Sequence, residues 1–206
     1  MKRVIVYVDG FNLYFGLRSK GWRRHYWLDL VKLAGALLKP DQQLAGVHYF
    51  TSRIRANAHN LADIQRQNSY LEALATLPGL QSHFGHYLEK PRECRSCGAR
   101  WLDYEEKMTD VNIAVQLLSD AFADRFDTAL LISADSDLTT PVKQLRALFP
   151  HKRLIAVFPP NRRSFELGQA AHSAFTLGEA NLRQSQFSDK VVRADGFVLS
   201  RPAHWQ

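Results

Sequence analysis

Four aspartates in this 206-residue chain stand at the borders of apolar or helical segments: Asp9, Asp110, Asp135 and Asp137. Carboxylates drawn from separate segments to one place repel one another unless a cation neutralises them. An oxygen-only ligand set selects Mg²⁺ or Mn²⁺, hard ions that retain several of their waters. A centre of that kind suits hydrolysis of phosphate esters. Each aspartate also has a plainer reading. Asp9-Gly10 is a common turn pair, Asp137 can N-cap a helix entered at Leu138, and Asp110 can complement a helix dipole. Only convergence of the four makes a site.

The surrounding elements decide that convergence. Val4 to Val8 is a continuous apolar run ending at Asp9-Gly10, the pattern of a buried strand stopped by a turn. Leucines at helical spacing predict helices over 28–38 and 60–77, and residues 46–51 and 81–88 read as the second and third strands. Residues 90–104 break the rhythm and read as an inserted loop carrying both cysteines. A helix over 110–123 is predicted to bury Val111, Ala114, Val115 and Leu118. Strands over 128–133 and 153–158 flank a helix over 137–149, and 164–172 is helical before a polar tail. Strands alternating with helices imply an α/β fold, three layers with a mostly parallel sheet. Right-handed crossovers make strand order 3-2-1-4-5 the simplest arrangement.

In such sheets ligands bind beyond the carboxyl ends of the strands, where strand order reverses. That point lies between the first and fourth strands, just past which stand Asp9, Asp135 and Asp137. Adjacent strands are about 4.8 Å apart, so these side chains can meet. A crossover helix runs antiparallel to the strands, which starts the 110–123 helix at the same edge and brings Asp110 there.

Three stretches carry a family resemblance: Val8-Asp9-Gly10-Phe11-Asn12-Leu13, Glu106-Lys107-Met108-Thr109-Asp110-Val111-Asn112, and Ile132-Ser133-Ala134-Asp135-Ser136-Asp137-Leu138. In order and spacing they resemble the NYN domains of the PIN-like nucleases. The resemblance implies a PIN-like domain over residues 1–160 and hydrolytic cleavage of RNA, as an endoribonuclease, with Mg²⁺ or Mn²⁺. Carried to matching positions, it makes Asp9, Asp110, Asp135 and Asp137 the metal-binding residues and Asn12 their polar companion. Ala134 departs from the glycine common in the family, adding a methyl group but sparing the carboxylates. Residues 161–206 are then a C-terminal extension packed on the same domain.

Other features are less specific. Cys94-Arg-Ser-Cys97-Gly98 has the form of half a zinc knuckle, and Gly98 suits the tight turn behind the second sulfur. A closed structural Zn²⁺ site needs two more ligands. His83 and His86 lie upstream, but three residues apart on a strand they face opposite ways without a bulge at Gly85. A second protomer in a homo-oligomer could supply them, and two unligated thiols are the bland alternative. Basic residues group at Arg23-Arg24, Arg53 with Arg55, Lys90 with Arg92, and Arg162-Arg163. The first group adjoins Trp22, His25, Tyr26 and Trp27, a mixture that stacks on unpaired bases, although Trp27 also suits a core. Arg162 and Arg163 follow the fifth strand and are the favoured phosphate binders. Lys107 either touches substrate or pairs with Glu105 or Glu106.

The net charge of +7 agrees with a polyanionic partner such as RNA. Two cysteines do not make a disulfide scaffold, and the apolar run at the N-terminus is too short for a signal-peptide core. A cytosolic protein without a membrane span is expected. Two rivals stand against a nuclease. The first is an RNA-binding module of the same fold that does not cut. The second is a phosphatase of the haloacid-dehalogenase type with Asp135 as nucleophile. Asp135-Ser136-Asp137-Leu138-Thr139 fits that signature, but no adjacent acidic pair follows Thr139.

Overall fold

In the computed structural model, residues 1–54 and 60–206 are described, with side chains given outside 87–89 and 102–106. Arg55 lies outside the described residues. The chain opens with strand β1 (Lys2–Asp9), which runs without a break into helix α1 (Gly10–Ser19). Then come α2 (Leu30–Ala36), β2 (Gln42–Thr51), α3 (Leu61–Leu74) and β3 (Leu80–Phe84). A pair of strands, β4 (His86–Glu93) and β5 (Arg100–Lys107), precedes α4 (Thr109–Phe122). The second half holds β6 (Thr128–Ile132), α5 (Thr139–Leu148), β7 (Arg153–Phe158), α6 (Phe165–Ala170) and β8 (Ser173–Thr176). Last are α7 (Glu179–Gln184) and the strands β9 (Lys190–Val192) and β10 (Val198–Ser200).

Six strands form one parallel sheet in the order β3-β2-β1-β6-β7-β8. The α/β class and the mostly parallel sheet are as the sequence implies. The five-strand order is not: β8 adds a sixth strand at one edge, and a hairpin separates β3 from β6 in the chain. Both differences have physical causes. All four residues of β8 are exposed, so no apolar alternation marks it. The region read as an insertion loop is the antiparallel hairpin β4–β5, whose pairing runs from His86 opposite Lys107 to Glu93 opposite Arg100. Its sequence is rich in charge, and the two strands pair along their backbones.

The alternation along β1 divides the core. Val4, Val6 and Val8 point into one layer with Leu13, Leu17, Leu33 and Leu74. Ile5 and Tyr7 point into the other, with Ile113 and Leu117 of α4 and Val142 and Leu145 of α5. By the same parity Asp9 belongs to the second layer, the one α4 covers. The C-terminal residues close the first layer, where Phe187, Leu199 and Trp205 pack with Trp27. Trp27 is fully buried and donates its indole N–H to the Ser188 carbonyl (2.8 Å), which makes it core.

Helix α4 is rotated away from the expected face. Val111 and Val115 are 54% and 59% exposed, whereas Ile113, Leu117, Asp120 and Ala121 are buried. The expectation failed because the buried stripe carries a charge at Asp120, which breaks its apolar signature. The observed rotation places Asp110, Ile113, Leu117 and Asp120 at i, i+3, i+7 and i+10, along one face. Asp110 thereby turns toward the sheet at the end where β1 and β6 stop.

Candidate metal centre

Asp9 ends β1 and caps α1. Its Oδ1 accepts from the backbone N–H of Asn12 (3.0 Å), while Oδ2 accepts from the Asn12 amide (2.6 Å) and the Ser133 hydroxyl (2.8 Å). The strand enters the helix directly because position 10 is glycine. A Cβ there would lie 2.7 Å from the Phe50 carbonyl oxygen and 2.8 Å from the Tyr49 ring. Asp9-Gly10 is therefore a strand-to-helix junction rather than a free turn. Asp135 caps the single 3-10 turn Ser136–Leu138, accepting from the Asp137 N–H (3.0 Å). The helix cap anticipated at Asp137 thus falls to Asp135. Asp110 sits in the first turn of α4, after Met108 in a left-handed conformation (φ 77°) that turns the hairpin into the helix.

One carboxylate oxygen from each of Asp9, Asp110 and Asp135 lies within 4.8 Å of the other two. Two trans ligands on an ion with metal–oxygen distances of about 2.1 Å are about 4.2 Å apart, so a small side-chain adjustment brings all three onto one ion. Asp137 is exposed and is not among these three. The group fits a hard divalent cation, since every donor is a carboxylate oxygen.

Electrostatics says the same. Asp9 is 2% exposed. Burial pushes its carboxyl above the usual range, and the neighbouring Asp135 charge adds to that, against hydrogen bonds from Asn12 and Ser133 that hold it down. A buried carboxylate with donors on one side and another carboxylate on the other lacks only a positive charge.

Asn12 links the parts. Its Oδ1 accepts from Arg162 Nε (2.9 Å) and more weakly from the Ala134 N–H (3.4 Å), while its amide donates to Asp9. Arg162 is thus at the centre, and Arg163 beside it is exposed. Lys107 ends β5 opposite His86, three residues before Asp110. Ser133 was not singled out from sequence. Its hydroxyl donates to Asp9 and accepts from the Asp135 N–H (3.0 Å), tying two ligands together. A lone serine after a strand gives no signal by itself.

The cysteine pair stands elsewhere, at the tip of the hairpin. The Cys94 N–H donates to the Ala99 carbonyl (2.8 Å), and the Gly98 N–H returns to the Cys94 carbonyl (2.9 Å), with Gly98 at φ 71°. The Ser96 hydroxyl (3.1 Å), with the backbone N–H groups of Ser96 and Cys97, draws the Cys94 thiol down to about 6. His83 does not serve this pair. Its Nε2 faces His48 Nδ1 at 2.9 Å, and its ring stacks on Phe50 (4.6 Å). Among the described residues no third side chain joins Cys94 and Cys97 in a metal-binding group. Of the aromatic basic group, Arg24 pairs with Glu179 (2.6 Å) and Trp27 is core.

No described helix is long and apolar enough to cross a membrane. Among solved structures, the fold is similar to a protein of unknown function from Vibrio parahaemolyticus. The TM-score is 0.54 at 18% identity, covering 86% of this chain and 94% of that one. Among curated proteins, the chain is 28% identical over 179 residues to 6-hydroxy-3-succinoylpyridine 3-monooxygenase HspA of Pseudomonas putida. That match covers 70% of this chain and 56% of the relative, so the chain spans little more than half of that protein's length. The model of the NYN domain matches residues 3–178, nearly the whole chain and all of the carboxylate centre. Members of that family are generally nucleases, and with this match the chain belongs to the NYN domain family.

Proposed function

We propose that the chain is a ribonuclease that hydrolyses RNA phosphodiester bonds at the Asp9, Asp110 and Asp135 centre, with Mg²⁺ or Mn²⁺ as its ion. The observation that carries this reading is the approach of three carboxylate oxygens from three separate segments to within 4.8 Å. When bound, such an ion supplies positive charge to the scissile phosphate and acidifies water. The chain's own groups do the rest. Asn12 and Ser133 fix the orientation of Asp9 before substrate arrives. Asp137, exposed beside the three, holds the attacking water by accepting its hydrogen bond. Arg162 and Arg163 take phosphate oxygens beyond the centre, and Lys107 takes one on the α4 side. A structural Zn²⁺ at Cys94 and Cys97 would draw its other two ligands from a second copy of the chain.

The direct test is cleavage of single-stranded RNA with Mn²⁺, repeated in EDTA and with Asp110→Asn. Cutting that needs both the metal and Asp110 supports the reading. Binding that persists while no preparation cuts makes the protein an RNA-binding module, and an acid-stable phosphoenzyme at Asp135 makes it a phosphatase. The likeness to the Pseudomonas putida protein favours a second reading, monooxygenation of a pyridine. Turnover of 6-hydroxy-3-succinoylpyridine with oxygen and a reductant, without RNA cleavage, would establish it.

A further inference from the structure

Beside the carboxylate centre lies a cavity of about 490 Å³ that none of the roles above uses. Its size falls in the range of small-ligand pockets, about 300–1,000 Å³. Gly10, the residue after Asp9, lines it, and so does Tyr49 at the end of β2, in register with Val8. The cavity lies in the first core layer and meets the metal centre at the Asp9–Gly10 junction, where β1 passes into α1. Its walls are aromatic. Tyr14 and Phe15 of α1 are 41% and 42% exposed, and Tyr14 stands 5.1 Å from the Tyr26 ring, which itself packs edge-on against Trp205.

Two cations complete it. Arg18 and Arg23 line the cavity, are exposed, and make no ion pair among the described residues. Arg66, also in the lining, is neutralised by Asp63 (2.5 Å). Arg24, next in sequence to Arg23, is held by Glu179 instead. Exposed tyrosine and phenylalanine rings next to uncompensated guanidinium groups are what a flat, π-faced and anionic ligand requires.

We infer that this cavity seats an unpaired nucleobase of the substrate strand, stacked against Tyr14, with Arg18 and Arg23 on its flanking phosphates. The inference rests on the nuclease reading, and it adds a base-binding subsite to it. A base inside a duplex is stacked and paired on both sides and does not enter a side cavity, whereas a single strand does. The preferred substrate is then single-stranded, and cutting is selected by an aromatic stack rather than by base edges. Since every base has a π-face, little sequence preference follows.

The test is binding of a fluorescein-labelled oligouridine and of a blunt RNA duplex, both in EDTA so that nothing is cut. Tyr14→Ala and Arg18→Ala should each weaken oligouridine binding about ten-fold, the loss expected of one stack or a strong phosphate contact. Duplex binding should change less than two-fold, and Tyr14→Phe should bind like the wild type. Melting curves check that each variant is folded. Asp110→Asn should keep full oligouridine affinity under these conditions. Wild-type binding by both alanine variants, or equal affinity for single strand and duplex, would overturn the inference. Displacement of the probe by 6-hydroxy-3-succinoylpyridine at stoichiometric amounts would overturn it too. The two readings fail separately. If Tyr14→Ala cuts normally while Asp110→Asn does not, the cavity falls and the nuclease stands. If oligouridine binds through Tyr14 but nothing is ever cut, the nuclease falls and the cavity stands.

Discussion

Helix α4 carries two aspartates on its inner face, and they have opposite surroundings. Asp120 is fully buried, and every direction around it is answered. Tyr7 donates to it at 2.8 Å, Gln116 at 2.9 Å and Arg125 at 3.1 Å, and the His48 ring nitrogen lies 3.2 Å away. Burial alone would raise its carboxyl, but the hydrogen bonds from His48, Tyr7 and Gln116 override that and bring it to about 2. Asp110, ten residues earlier and about 15 Å along the axis, has an oxygen from each of two other carboxylates within 4.8 Å of its own. Asp9 makes a similar contrast with Tyr7 two residues before it on β1: the tyrosine donates to Asp120, while the aspartate belongs to the group of three carboxylates. An acid whose neighbours are all donors and cations is complete as structure, while acids that also have each other's oxygens close by can share a cation. Asp9 is as buried as Asp120, so the neighbouring carboxylates rather than burial distinguish it.

The sharpest way to break the contrast is to neutralise each acid in turn. Asp110→Asn should lower Mn²⁺-dependent cleavage about a thousand-fold, the equivalent of about 4 kcal/mol of barrier. It should leave the melting temperature in EDTA unchanged or higher, because a repelling charge is removed. Asp120→Ala should do the reverse. It strands His48 and Arg125 around a hole and should cost about 3–5 kcal/mol of stability, or about 10 °C in Tm for a chain of this size. Cleavage per folded molecule should stay within about two-fold of wild type. Equal losses of activity from both substitutions would erase the distinction.

Acid sharpens it further. The folded Asp120 carboxyl lies below its unfolded value of 3.8, so its contribution is fully present above about pH 4 and lost as pH falls through about 2. That contribution is about 2 kcal/mol. Denaturant titrations between pH 4 and pH 2 should show this slope in the wild type and lose it in Asp120→Asn. Asp9 has the opposite sign. Its raised carboxyl costs stability as pH rises above the unfolded value toward the folded one. Mn²⁺ should relieve that cost and raise Tm near neutrality in the wild type but not in Asp110→Asn.

A smaller effect is expected at the border of the centre. Arg162→Ala removes the donor that holds Asn12 Oδ1 and should raise KM about ten-fold, with kcat moving less. Cys94→Ser, at the hairpin tip, should leave cleavage within about two-fold while abolishing any bound zinc.

How far the sequence could reveal this contrast depends on the kind of signal each part leaves. The α/β class was legible because β1, β6 and β7 are apolar runs with helices between them. The convergence of Asp9, Asp110 and Asp135 followed from where strands end and where a crossover helix begins. Strand β8 was invisible because it is short and exposed, and the β4–β5 hairpin because charge replaces alternation there. The burial face of α4 was misjudged since Asp120 sits inside the stripe and Val111 and Val115 outside it. Helix α1 was hidden behind a turn-like Asp9-Gly10, although Leu13 and Leu17 at helical spacing would have revealed it. With α1 went its exposed aromatics, and so the cavity beside the centre.

The central claim is that three distant acids share one ion. Anomalous scattering from crystals soaked in Mn²⁺ tests it directly. One strong peak is expected within about 2.2 Å of an oxygen from each of Asp9, Asp110 and Asp135, and none beside Asp120. Bare carboxylates at saturating Mn²⁺, or a peak bound by Asp137 alone, would contradict it.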